Sequence, residues 1–337
     1  MKNEHLARLL DDGQHFSPSY GGGLSNHLPM TLIALSALGG DDAAREAHVQ
    51  RYAKRLEPLH EADIHIDAAR FDRHLGDWSA HAAYRRFFSE ALTEHGTDAT
   101  LAAWWPELAP GLAAAGFHGL IRLAYGLEAE SRTEIATGLA YLASAHTPLI
   151  DRASSVAAGA ADLAGALAEL RTAFAGNRIE AGLIIEELRL ATEEPEFFPH
   201  LKLPRLESAP DCSTVRADFA RVSVRLYLAA PSFNSLHLVT GTHALESVMD
   251  RLPAAMHTRT LAHFWVAFCA AYVSIGAPEP ATAPADDPAP DWQPCIAAAL
   301  KSPNDHLIKM VHTCKAQFAR HGDAAYAVAA KKVCGIP

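Results

Sequence analysis

Strand-type alternation is almost absent from this chain, and so are paired cysteines, an excess of basic residues and the glycine-rich fingerprints of nucleotide binding. The five cysteines, Cys212, Cys269, Cys295, Cys314 and Cys334, occur singly and contain no C-x-x-C pair. That argues against a disulfide framework or a zinc ribbon and suits a reducing cytoplasm. The formal net charge is −10, so there is no electrostatic footprint for nucleic acid. The most apolar run, LAHFWVAFCAAYVSIGA at 261–277, is just short of a comfortable membrane span and contains His263, so it reads as a buried core helix and no membrane partner is expected. The N-terminal MKNEHLARLLDDGQ is polar and amphipathic and lacks the apolar centre of a signal peptide. No G-x-G-x-x-G follows a strand, and neither a Walker A sequence nor a G-x-S-x-G elbow is present. HEADIH imitates a zinc-protease motif but is one residue too long: Ile64, not His65, holds the i+4 position. Glu57-x-x-His60 occurs once, with Pro58 inside it, where a ferritin-like di-iron site needs two such motifs.

Helical periodicity is widespread instead. It predicts helices over about 41–56, 77–96, 97–108, 111–129, 133–146 and 154–170, then 213–229, 235–250, 256–274, 291–301, 304–320 and 323–333. Asp77 is a cap candidate and Gly96 a stop, with Thr97 or Asp98 capping the next helix. Alanine and glycine dominate the middle segments, which permits close helix–helix approach. Proline and glycine mark the connections: 17–29, 191–211 with four prolines, and a Pro/Ala/Asp-rich stretch at 276–294. The chemistry-bearing motifs come from both ends and the middle of the chain. A single large all-α domain over residues 1–337 is therefore expected, with 276–294 as a surface loop or lid.

Nineteen histidines are the first hint of metal or acid–base chemistry. Four of them lie in apolar surroundings: His27 in GGGLSNHLPMTLIAL, His118 in AAAGFHGLIRLAYGLEA, and His237 and His243 in SLHLVTGTHALESV. Neutral imidazole is the commonest metal ligand, and a buried lone histidine is otherwise a satisfied core residue. His237 and His243 are six apart, about 120° around a regular helix. To share one ion they need a bulge or break near Gly241, and otherwise one of them supports the site from outside. His146, near a helix end, is a reserve candidate. Arg122 lies four after His118 on the same face, placed to pair with a carboxylate or to bind an anionic or phenolate group. In NDHLIKMVH (304–312), His306, Lys309 and His312 share one helical face with Asp305. Taken alone, this stretch is a charged face with an Asp305–Lys309 pair.

Four of these segments, GGGLSNHLPMTLIAL, FHGLIRLAYGLEA, LHLVTGTHAL and DHLIKMVHTC, occur in the order seen in the questin oxidase-like family, and the chain resembles that family from about residue 15 to 320. The resemblance implies an all-helical oxidoreductase that uses dioxygen to oxidise, and often open, a small aromatic polyketide or anthraquinone-like substrate. It also implies a mononuclear non-haem Fe(II) held by His27, His118, His237, His243 and Lys309, the lysine carrying a carbamate. That departs from the two-histidine, one-carboxylate triad, and no Asp or Glu stands out as a substitute. A carbamate fits on physical grounds: burial beside a divalent ion depresses a lysine pKa, and the neutral amine adds carbon dioxide to become an anionic oxygen donor. A flavin- or NADPH-dependent Baeyer–Villiger oxygenase is the alternative, disfavoured by the missing dinucleotide fingerprint. A non-catalytic helical binding protein is the second. Arg122 is the candidate catalytic residue, and Phe117, Trp104, Trp105, Tyr125 and Phe233 are candidates for the pocket wall.

Overall fold

Small polar residues set many of the helix starts. The computed structural model describes residues 4–150, 157–158, 162–206, 212–282 and 289–336. After α1 (Glu4–Asp12), a short hairpin pairs β1 (Ser19–Tyr20) antiparallel with β2 (Leu24–Ser25) and delivers the chain into α2 (Leu28–Ala37). Then come α3 (Asp42–Tyr52), whose Asp41 cap accepts from the Ala44 amide, α4 (His81–His95), α5 (Thr97–Leu108), α6 (His118–Glu128) and α7 (Arg132–Ser144), capped by Ser131. Gly96 ends α4 with a positive φ and is itself the residue before α5, so neither Thr97 nor Asp98 is the cap there.

The next stretch holds α8 (Leu163–Phe174), capped by Asp162, then α9 (Ile184–Glu193) and α10 (Phe197–His200). A two-residue parallel pairing joins β3 (Ala157–Ala158) to β4 (Lys202–Leu203) across it. The helix expected from 154 thus begins at Leu163, and part of 154–161 lies outside the described residues. The chain closes with α11 (Ser213–Ala229), α12 (Phe233–Met249), α13 (His257–Ser274), α14 (Gln293–Lys301), α15 (Asp305–His321) and α16 (Ala325–Cys334). The architecture is all-α, as the periodicity indicates, with strands no longer than two residues among those described.

Helix α13 carries the apolar 261–274 run and is buried along most of its length. No helix of the described residues is long and apolar enough to cross a membrane. The small residues act where the backbone comes closest. A Cβ on Gly138 of α7 would stand 2.5 Å from the Leu123 Cα of α6, so these helices touch backbone to backbone. Helix α6 packs on α7 and α12, and α12 packs on α15, bringing together segments that are distant in sequence.

The proline-rich stretch leaves α13 through Gly276 and Ala277, both at positive φ. Its described flank lies against α8 and α11, through Glu279–Arg171 (2.8 Å) and the Ala281 amide on the Arg225 carbonyl (3.2 Å); residues 283–288 lie outside the described set.

Candidate metal centre

The helix expected from residue 111 starts only at His118. Ala115, Gly116 and Phe117 take φ of 50°, 66° and 70°, and three successive left-handed residues cannot continue a right-handed helix. Non-glycine residues in that region are strained and are held there by their surroundings. Phe117 is fully buried, its ring against Phe264 and over Gly241, where a Cβ would approach it to 3.3 Å. The turn puts His118 on the first residue of α6, with its Nδ1 2.5 Å from the Ala115 carbonyl.

His237 sits one turn into α12, its Nδ1 2.7 Å from the Phe233 carbonyl. His27 lies between the hairpin and α2. Its backbone amide donates to the Tyr52 hydroxyl (3.0 Å), and its Nδ1 bonds the Asp305 carboxylate. Carbonyl and carboxylate oxygens only accept hydrogen bonds, so each Nδ1 carries the proton and each Nε2 keeps its lone pair. Those lone pairs converge. His118 Nε2 and His237 Nε2 are 3.1 Å apart, and the buried His27 Nε2 has no hydrogen-bond partner. The His27 and His118 rings stack at 4.8 Å between centroids. His306 stands edge-on to His27 (4.6 Å) and faces His237 (5.5 Å). One ligating atom from each of His27, His118 and His306 falls within a 4.8 Å span.

Two bare imidazole lone pairs 3.1 Å apart repel unless a cation lies between them. Two nitrogens bound to one ion at about 2.1 Å, at octahedral to tetrahedral angles, would be about 3.0–3.4 Å apart, which is the spacing found here. The donor set therefore fits a divalent transition metal. Hydrogen bonds from Nδ1 to oxygen acceptors are also the usual way proteins fix the tautomer of a metal-binding histidine.

The electrostatics agree. Burial, reinforced by Lys309, lowers His27 to about 4 and His237 to about 3; burial and the neighbouring His237 hold His118 well below its ordinary value. Burial and Lys309 depress His306 as well. All four rings are thus neutral at pH 7. Burial alone would raise Asp305, but the His27 hydrogen bond and the neighbouring Lys309 ammonium hold it well below the usual carboxylate range. Lys309 is 2% exposed, and burial lowers it to about 8 against the pull of Asp305.

His27, His118, His237, Asp305 and His306 line a cavity of about 480 Å³. Tyr20, Leu24, Leu183, Ile185 and Phe233 give it apolar walls, and Arg55, stacked over the Tyr52 ring at 4.3 Å, lines it as a cation. Of the aromatic residues expected in the wall, Phe233 alone is among its lining residues. Phe117 and Trp105 are core residues, the latter donating to the Thr260 hydroxyl (2.8 Å); Trp104 packs on Phe71 and Phe87. Tyr125 lies against His312.

Two expected site residues point elsewhere. Helix α12 is unbroken through Gly241, so the 120° offset holds and His243 faces away from His237, toward His312 and Glu128. Arg122 spends its guanidinium on Glu134 (Nε–Oε2 2.9 Å), a buried pair that also receives Gln14. His146 packs over Gly111. Conversely, Asp305 and His306 belong to the cluster. The shared helical face of His306 and Lys309 signalled it, but nothing local showed that this face turns inward to meet His27.

Residues 24–314 match the family described as questin oxidase-like, which takes in every residue of the cluster. No curated protein matches the chain.

Proposed function

The chain belongs to the questin oxidase-like family, which implies an oxidoreductase, and from that premise we propose that it oxidises a small aromatic polyketide-type substrate with dioxygen at a single non-haem iron. The ion would be held by His27, His118, His237 and His306, with Lys309 as a carbamate. The observation that carries this reading is the pair of deprotonated Nε2 atoms of His118 and His237 at 3.1 Å, with the unpartnered Nε2 of His27 beside them. When bound, iron(II) supplies a Lewis-acidic, redox-active centre for dioxygen chemistry.

The chain's own residues do the rest. Asp305 and the carbonyls of Ala115 and Phe233 hold three imidazoles in the ligating tautomer. The apolar wall takes the flat face of an aromatic substrate and excludes water, which strengthens polar interactions within the site. Arg55 offers a cation to a phenolate or quinone oxygen. Lys309, lowered to about 8, has free amine available near neutral pH. Loss of one proton from the ammonium gives this amine; its addition to carbon dioxide forms one N–C bond at the expense of one C=O π bond and releases a second proton, so that a buried cation becomes an anion. That anion offsets metal charge left uncompensated by neutral imidazoles.

Metal analysis and an absorption spectrum of the purified protein test the proposal. Stoichiometric iron without flavin bands, with oxygen consumed on adding an aromatic polyketide, is the expected result. Flavin absorbance, or zinc with no oxygen consumption, would overturn it.

A further inference from the structure

The three helices that carry His118, His237 and His306 carry a second set of donors further along. Ten residues beyond His118 on α6 is Glu128; six beyond His237 on α12 is His243; six beyond His306 on α15 is His312. At 1.5 Å per residue, His243 and His312 both lie about 9 Å further along their helices, and Glu128 about 15 Å. Because α12 and α15 both pack within the same bundle as α6, the second tier closes on itself as the first does. One ligating atom from each of Glu128, His243 and His312 lies within a 4.8 Å span.

We propose that Glu128, His243 and His312 form a second divalent-metal site, distinct from the cluster in the cavity, which ties α6, α12 and α15 together.

Three observations carry this. The first is the donor set: two imidazoles and one carboxylate on three different helices, a combination that suits zinc, iron(II) or another divalent transition ion. The second is His312. Its side chain is 6% exposed, and Nε2 meets Glu128 Oε1 at 2.7 Å. Its Nδ1 is buried without a partner. A plain ion pair does not account for that atom, because a charged ring would bury an unpaired N–H and a neutral one an unpaired lone pair. An ion bound at Nδ1 satisfies the ring, because Nε2–H then donates to Glu128. The third is access: the Glu128 side chain is 36% exposed, so one edge of the site reaches solvent. None of the three residues is among those lining the 480 Å³ cavity. The site is therefore placed to fix the register of the helices bearing His118, His237 and His306 without meeting the substrate.

The test is a zinc titration of chelator-stripped, full-length protein, with bound metal measured after removal of free ion. Wild type is expected to bind two equivalents. His312→Gln and, at the half-exposed position, Glu128→Gln are each expected to bind one fewer than wild type while keeping the wild-type helical circular dichroism. His118→Ala removes the equivalent of the cavity cluster and leaves this one, so the two sites fail separately. If both Glu128→Gln and His312→Gln keep the wild-type stoichiometry, the proposal is wrong, whatever that stoichiometry is.

Discussion

His118 and His237 direct their Nε2 atoms at each other across 3.1 Å, although each ring donates its only N–H, at Nδ1, to a backbone carbonyl. The contact repels as it stands. The fold nevertheless sustains it, through a left-handed turn ahead of α6 and a capped start of α12. Such convergence of buried lone pairs costs stability and makes sense as preorganisation for a cation.

Asp305 bonds the Nδ1 of His27, which places it to hold that imidazole for the proposed ion. Asp305→Asn is expected to weaken iron binding by about 10- to 100-fold, the usual effect of removing such a partner, with the fold intact. Equilibrium metal competition measures it. Unchanged affinity would show that the His27 tautomer is fixed by something else.

Lys309→Ala removes both the buried amine and the carbamate it is proposed to carry. Loss of bound iron and of oxygen consumption is expected. The intact protein, equilibrated with isotopically labelled bicarbonate and zinc in place of iron, should show a carbamate resonance by NMR. Wild-type iron content and activity in the alanine variant would sink the lysine's role.

Acid should destabilise the metal-free protein early. His27, His81 and His237 are all buried, and burial lowers them to about 4, about 3 and about 3 from 6.5. Between pH 6.5 and about 4 the unfolded chain binds protons on these rings that the folded chain refuses. Stability therefore falls as pH falls through that window, by up to about 1.4 kcal/mol per pH unit for each ring. Denaturant unfolding of chelator-treated protein at pH 7, 6 and 5 checks the slope; a flat profile would contradict the burial of these neutral rings.

Arg122 and Glu134 are 2% and 1% exposed and paired at 2.9 Å, well inside the α6–α7 contact. Arg122→Met leaves a buried carboxylate uncompensated and is expected to cost roughly 3–5 kcal/mol of unfolding free energy. The Arg122→Met, Glu134→Leu double variant should recover much of it. A variant of unaltered stability but reduced kcat/KM would instead make Arg122 a substrate contact.

Much of this was legible in the sequence, for reasons that differ by residue. The helices follow from their periodicity, and Gly96, a local stop signal, does end α4, whereas the cap expected at Thr97 or Asp98 is taken by Gly96 itself. The divergence of His237 and His243 follows from a spacing of six, and the outcome turned only on whether Gly241 breaks the helix. The late start of α6 was hidden, because it depends on Phe117 being pinned in a left-handed conformation by Phe264 and Gly241, which come from two other helices. Asp305 and His306 were hidden for the same reason. Beside Lys309 they look like a solvated face, and only His27, 278 residues away, turns Asp305 into a site residue. Arg122 carried a fair signal, a buried-looking cation one turn from a histidine, yet Glu134 satisfies it from the next helix.

The most direct test of the central claim is an anomalous-difference map from crystals of iron-loaded protein, recorded on both sides of the iron edge. An iron peak bounded by His27, His118, His237 and His306, with density continuous from Lys309, is the expected result. Iron found only beside Glu128, His243 and His312, or no peak at the four-histidine cluster, would contradict it.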